Sequence, residues 1–220
     1  MTILSDHDRE HLSKHFEALT DNVKITMFTQ EFECPYCKDT RELLQEVAAL
    51  NPKIQLEVYD FVKDAEKAKI LGVDKIPAIV VTGKKACRVR FFGIPAGYEF
   101  ISLMEAILDA SSGTTSLSQA SKDKIKQIDK PVHIQVFVTT TCPYCPMMVR
   151  LAHQLAIESE LVTADMIEGM EFPHIAHKYG VMGVPKTIIN ETSELVGAIP
   201  EEHFVEQVLQ AVKQRAPSTV

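Results

Sequence analysis

A chain of 220 residues with 23 Lys and Arg against 30 Asp and Glu carries a net charge of −7, which excludes the basic footprint of a nucleic-acid-binding protein. At 45% hydrophobic and 24% charged residues the composition is that of a globular protein, and no apolar run is long enough to span a bilayer. The opening residues become charged at Asp6 and lack both a basic start and an apolar core, so no secretory signal is expected and a cytoplasmic location is.

In chain order, the first predicted element is an amphipathic helix capped by Ser5 or Asp6, with Leu12, Phe16 and Leu19 on one face. A strand over 23–28 alternates and then turns apolar, as suits a central strand. Cys34-Pro35-Tyr36-Cys37 opens a helix carrying Leu43, Leu44 and Val47. A strand over 54–59 and a short helix over 64–71 lead to Ile76-Pro77. Two strands over 78–81 and 88–92 are close enough for a hairpin, and a helix over 98–108 follows. The residues 110–116 are the longest small and polar stretch and mark a seam.

Past the seam the series repeats. A helix over 117–128 with Ile125 and Ile128 precedes a strand over 132–138. Cys142-Pro143-Tyr144-Cys145 opens a helix with Val149, Leu151, Ala152 and Leu155. A strand over 161–166 and a helix over 173–179 lead to Val184-Pro185, strands over 186–189 and 194–196, and a helix over 201–212. The two cysteine motifs are 108 residues apart, and each begins 43 residues before its proline. At that offset Leu71-Gly72-Val73 aligns with Tyr179-Gly180-Val181. A period of this length is that of a small domain, so two tandem units are expected, 1–113 and 114–220.

The chemistry follows from the residue types. A thiol attacks as its thiolate, and a helix N-terminus lowers a thiol pKa through its unpaired N–H groups and its dipole. Cys34 and Cys142, at the exposed end of each motif, are the expected nucleophiles. Cys37 and Cys145, one turn deeper, are the resolving thiols. Pro77 and Pro185 are candidate cis residues, and the backbone of Ile76 and Val184 is a candidate to bind an extended substrate as an added strand. Tyr36 and Tyr144 are candidates to touch substrate, although packing at the helix start explains them equally well. Glu31 and Glu33 precede Cys34, whereas Thr139, Thr140 and Thr141 precede Cys142. Like charge raises a thiol pKa, so the second site is expected to be the more acidic and the more active.

A zinc site is disfavoured, because ribbon-type pairs lie roughly 15 to 20 residues apart and these pairs each have their own proline. No metal is expected. Cys87 reads as a small buried residue, His7, His11 and His15 as a solvated face, and Met147 and Met148 as core filling or substrate-facing surface.

The motif at a helix start, the later proline and the element order resemble the thioredoxin fold with the glutaredoxin form of the tetrapeptide. Two such units, with the segment from Gly93 to Phe100 after the first hairpin, resemble the protein disulfide oxidoreductases of thermophilic archaea and bacteria, relatives of protein disulfide isomerase. The resemblance implies an α/β fold of two tandem thioredoxin-fold units, each a central mixed sheet flanked by helices, with a joint sheet across both. It implies dithiol-disulfide exchange on protein disulfides, with the redox-active disulfides Cys34–Cys37 and Cys142–Cys145 in place of a cofactor. It also implies a thioredoxin-reductase-like flavoprotein as electron source. Two departures stand out. Thioredoxins carry a buried Asp six residues before the first Cys, where this chain has Phe28 and Val136, and the Gly-Gly with an acidic residue that binds glutathione is missing. The competing readings are a dedicated electron shuttle to a peroxidase or reductase, and a non-enzymatic binding module on the same scaffold.

Overall fold

The strands place alternate side chains on opposite faces of a sheet, and the sequence uses both faces. In β1 (Val23–Thr29), Ile25 and Met27 enter one core while Phe28 enters another, as the two-residue period of a strand requires. The computed structural model describes residues 3–85 and 88–214, so Cys87 lies outside the described residues. Within them, β1, β2 (Ile54–Asp60), β3 (Ala78–Thr82), β4 (Arg88–Phe92), β5 (Val132–Val138), β6 (Val162–Glu168), β7 (Lys186–Ile189) and β8 (Ser193–Val196) form one sheet. Its order is β2-β1-β3-β4-β6-β5-β7-β8.

Each unit is mixed. β1 pairs β2 and β5 pairs β6 in parallel, whereas β3 and β4, like β7 and β8, form antiparallel hairpins. The units join through a parallel pairing of β4 with β6, from Arg88 opposite Thr163 to Phe92 opposite Ile167. The joint sheet expected from the resemblance is therefore present.

Helices cover both faces. The larger core lies under α1 (Asp6–Phe16), α2 (Cys37–Ala48), α4 (Phe100–Ser112), α5 (Gln119–Ile125), α6 (Cys145–Glu158) and α8 (Glu201–Gln214), and it runs without a break through both units. The smaller core, around Phe28, Phe92, Phe137 and Phe172, lies under α3 (Ala65–Ile70) and α7 (Pro173–Lys178). α1 begins as anticipated, with Ser5 as N-cap in a reciprocal capping box with Asp8.

The seam is tighter than its composition implies. α4 continues through Ser111 and Ser112 and ends on Gly113, whose φ of 69° is the left-handed conformation of a helix C-cap. Ser111 is fully buried, donating to the Asp21 carbonyl and accepting from the Asp21 N–H. Small residues let this helix end approach the turn before β1, so a stretch that reads as a loop is a buried last turn.

A buried ion pair crosses the sheet seam. Arg90 Nε donates to Asp165 Oδ1 at 2.7 Å and its second terminal nitrogen to Oδ2 at 2.9 Å. His133 Nε2 donates to the same carboxylate at 2.6 Å. Burial alone would push Asp165 up, but the bonds from His133 and Arg90 outweigh it and hold the carboxyl below its usual range.

Candidate active site: two cysteine pairs at helix starts

β1 and β5 each deliver the chain into a short loop that ends in a cysteine motif. Cys34 is disulfide-bonded to Cys37 and Cys142 to Cys145, with Cα separations of 5.4 and 5.5 Å. α2 and α6 begin at the second cysteine, with Tyr36 and Tyr144 as N-caps. The first cysteines therefore sit just ahead of the helices, where free N–H groups and the helix dipole favour a thiolate. Cys37 and Cys145 are buried. Cys34 is half-buried, whereas Cys142 is only 8% exposed, more covered than the exposed end anticipated for it.

The Ile76–Pro77 and Val184–Pro185 bonds are both cis. The antiparallel register sets Phe28 opposite Ala78 and Phe137 opposite Lys186, so each cis proline lies at the strand end where the cysteine loop departs. The Pro77 carbonyl accepts from Gly93 N–H at 2.9 Å and the Pro185 carbonyl from Gly197 N–H at 2.8 Å, fixing both turns. Among the described residues no hydrogen bond engages the backbone of Ile76 or Val184. Tyr36 and Tyr144 are both exposed.

The thioredoxin-domain model matches residues 22–105 and again 132–210. The chain belongs to the thioredoxin-domain family. A solved protein disulfide oxidoreductase from Aeropyrum pernix k1 is 32% identical and superposes with a TM-score of 0.90 over 97% of this chain and 95% of that one. A structure of the alkylhydroperoxide reductase AhpF from Enterococcus faecalis is 26% identical, with a TM-score of 0.87 over 93% of this chain and 99% of that one. Among curated relatives, a component of the alkyl hydroperoxide reductase of Staphylococcus aureus is 27% identical over 182 residues, 83% of this chain. The chain spans 33% of that relative's length. It is similar also to a Bacillus subtilis NADH dehydrogenase, 24% identical over 192 residues and 35% of that protein's length.

The two thioredoxin-fold units differ at the base of their sites. Strand register equates Phe28 with Phe137, not with Val136 as the 108-residue motif offset does. The first loop is thus one residue longer, and it accommodates the extra residue with Glu33 at a φ of 57°. Phe28, Phe137 and Val136 are all fully buried, so neither unit has a carboxyl at the position six residues before its first Cys.

A buried carboxyl of the first unit lies level with the start of the second cysteine helix. The Gly97–Glu99 turn at the start of α4 lies on the loop of the other unit, with Tyr98 N–H donating to the Thr140 carbonyl at 3.0 Å. Gly97 has a φ of 59°, and a Cβ there would overlap that carbonyl. α4 and α6 run side by side with Glu105 bonded to Arg150 and Asp109 to Gln154, which sets Glu99 level with the start of α6 at Cys145. Glu99 is fully buried. Its Oε2 accepts from Ser102 Oγ at 2.7 Å, while among the described residues Oε1 has no hydrogen-bond partner. Burial pushes its pKa up to about 7. Glu99 is not among the site residues expected from the sequence. The signal available was a lone acidic residue within Tyr98-Glu99-Phe100-Ile101.

No group of three or more His, Cys, Asp or Glu side chains is positioned to hold a metal among the described residues. Nor, among them, is any helix long and apolar enough to cross a membrane.

Proposed function

We propose that this chain is a protein disulfide oxidoreductase working through both cysteine pairs, in units spanning 1–113 and 114–220. Cys34 or Cys142 attacks a substrate disulfide as the thiolate, forming a mixed disulfide and releasing one substrate thiolate. Cys37 or Cys145 then attacks the first cysteine, closes the intramolecular disulfide and releases the second substrate thiolate. Two electrons pass to the substrate, and a reductant of the thioredoxin-reductase-like flavoprotein class restores the pair. In the reverse direction the same bonds oxidise a substrate dithiol. Glu99 takes the proton from Cys145, the part played elsewhere in the fold by the missing Asp.

The observation that carries this reading is the coincidence, twice over, of a cysteine pair at a helix start with a cis proline preceded by unengaged backbone. Ile76 and Val184 can pair with an extended substrate through main chain alone, which tolerates many sequences, and Tyr36 and Tyr144 flank it. A cytoplasm in which protein disulfides persist, as in hyperthermophiles, suits such an enzyme.

The names of the relatives favour a second reading, a dedicated electron shuttle to a reductase or peroxidase. Trapping separates them. Cys37→Ser and Cys145→Ser variants lack the thiol that releases a captured partner, so gels run without reductant should show mixed disulfides. A spectrum of trapped proteins supports the oxidoreductase, a single trapped protein supports the shuttle, and none at all contradicts both.

A further inference from the structure

Around the two cysteine pairs, positions related by the 108-residue offset exchange two acids for methionine and one valine for methionine. Where the first unit has Asp39, Val62 and Asp74, the second has Met147, Met170 and Met182. The methionines are not core filling, for Met182 is 97% exposed, Met170 76% and Met147 45%. Met147 stands in the first turn of α6, two residues beyond Cys145. Met170 and Met182 line a cleft of about 550 Å³ with Thr139, Pro173, His177 and Val184. The Thr139 carbonyl accepts from the Cys142 N–H at 3.1 Å, so the cleft borders the loop that carries Cys142. Val184, with its unengaged backbone, lines the same cleft.

Long, unbranched, polarizable side chains adapt their shape to many apolar partners, and clustered apolar groups left in water mark a contact surface. The first site carries a mixed, acidic rim: Asp39 and Asp74 join Glu31 and Glu33, all exposed, with Phe32 and Val62 as the exposed apolar residues among them. A single chain thus presents the same reacting pair behind two different surfaces. We propose that Met147, Met170 and Met182 form an adaptable apolar docking surface that makes the Cys142 site selective for disulfides flanked by apolar segments of unfolded polypeptide, a selectivity the acid-rimmed Cys34 site lacks. The proposal rests on the exchange activity argued above and adds to it the class of substrate taken by the second site. The peptide backbone pairs at Val184, and its apolar side chain enters the cleft between Met170 and Met182.

The test uses the full chain with Cys34→Ser, so that only the second site turns over, with and without Met170→Ser and Met182→Ser together. Neutral replacements remove apolar contact without changing the charge near the thiols. Two substrates are compared, the small bis(2-hydroxyethyl) disulfide and scrambled ribonuclease. The expected result is a fall of about tenfold in the ratio of kcat/KM for the polypeptide to that for the small disulfide, as loss of two partly desolvated side chains implies. Conversely, Asp74→Met in a Cys142→Ser background should raise that ratio at the first site. An unchanged ratio in the double serine variant would overturn the docking surface while leaving the exchange activity standing. No turnover of either substrate by the Cys34→Ser parent would instead refute the exchange activity, and the docking surface with it.

Discussion

Glu99→Gln isolates the buried carboxyl that lies level with the start of α6. Burial raises this group from 4.5 to about 7, against the Ser102 hydroxyl bond that favours the charged form. Between those values the folded protein keeps a proton that the unfolded chain has lost, so stability falls as pH rises from about 4.5 through about 7. At about 1.4 kcal/mol for each tenfold change in proton affinity, the loss is about 3 kcal/mol. Glutamine keeps the shape and a partner for Ser102 but has no proton to lose. Guanidinium unfolding of the oxidised proteins should therefore show the variant gaining about 3 kcal/mol on the parent between pH 5 and pH 8. In a Cys34→Ser background, rapid-quench measurement should show closure of the Cys142–Cys145 disulfide slowed by about a hundredfold. The pH dependence with a midpoint near 7 should disappear with it. Stability curves that stay parallel, together with an unchanged closure rate, would refute both the burial argument and the proton-transfer role.

Arg90→Met leaves the buried Asp165 carboxylate with His133 as its remaining partner and should cost up to about 3 kcal/mol in chemical unfolding, at the low end for a broken buried pair. The double change Arg90→Met with Asp165→Leu should recover most of that loss, because no buried charge is left unpaired. The acidic residues before Cys34 and the hydroxyls before Cys142 should separate the thiols chemically. Iodoacetamide alkylation followed against pH, in single-site variants that also carry Cys87→Ser, should show Cys142 reacting at the lower pH. An equal or lower midpoint for Cys34 would rule out that electrostatic contrast.

Much of the fold was legible because strand alternation and helix periodicity are local properties. The motif spacing then exposed the repeat, and strands and helices fall where Val23 to Phe28, Leu43 to Val47 and their second-unit counterparts indicate. What was not legible depends on partners distant in sequence. Ser111 and Ser112 look like a linker until Asp21 is found against Ser111. The extra loop residue at Glu33 is invisible to an offset anchored on the cysteines, because cysteines and prolines keep their spacing while the strand end shifts by one. Cys142 is more covered than a helix-start position implies because its loop is held against the Gly97–Glu99 turn of the other unit. Glu99 was missed for the same reason: its chemistry lies in the 43 residues that separate it from Cys142 in sequence and the adjacency of α4 and α6 that removes them in space.

The most direct test of the account is insulin reduction with dithiothreitol as electron donor, run on the parent chain, Cys34→Ser, Cys142→Ser and the double variant. Two complete sites predict that the parent accelerates precipitation of the reduced insulin chains, that each single variant keeps part of that activity, and that the double variant keeps almost none. Full loss in either single variant would contradict independent sites and require electrons to pass from one pair to the other. A parent no faster than dithiothreitol alone, or a double variant as fast as the parent, would contradict disulfide exchange at these cysteines altogether.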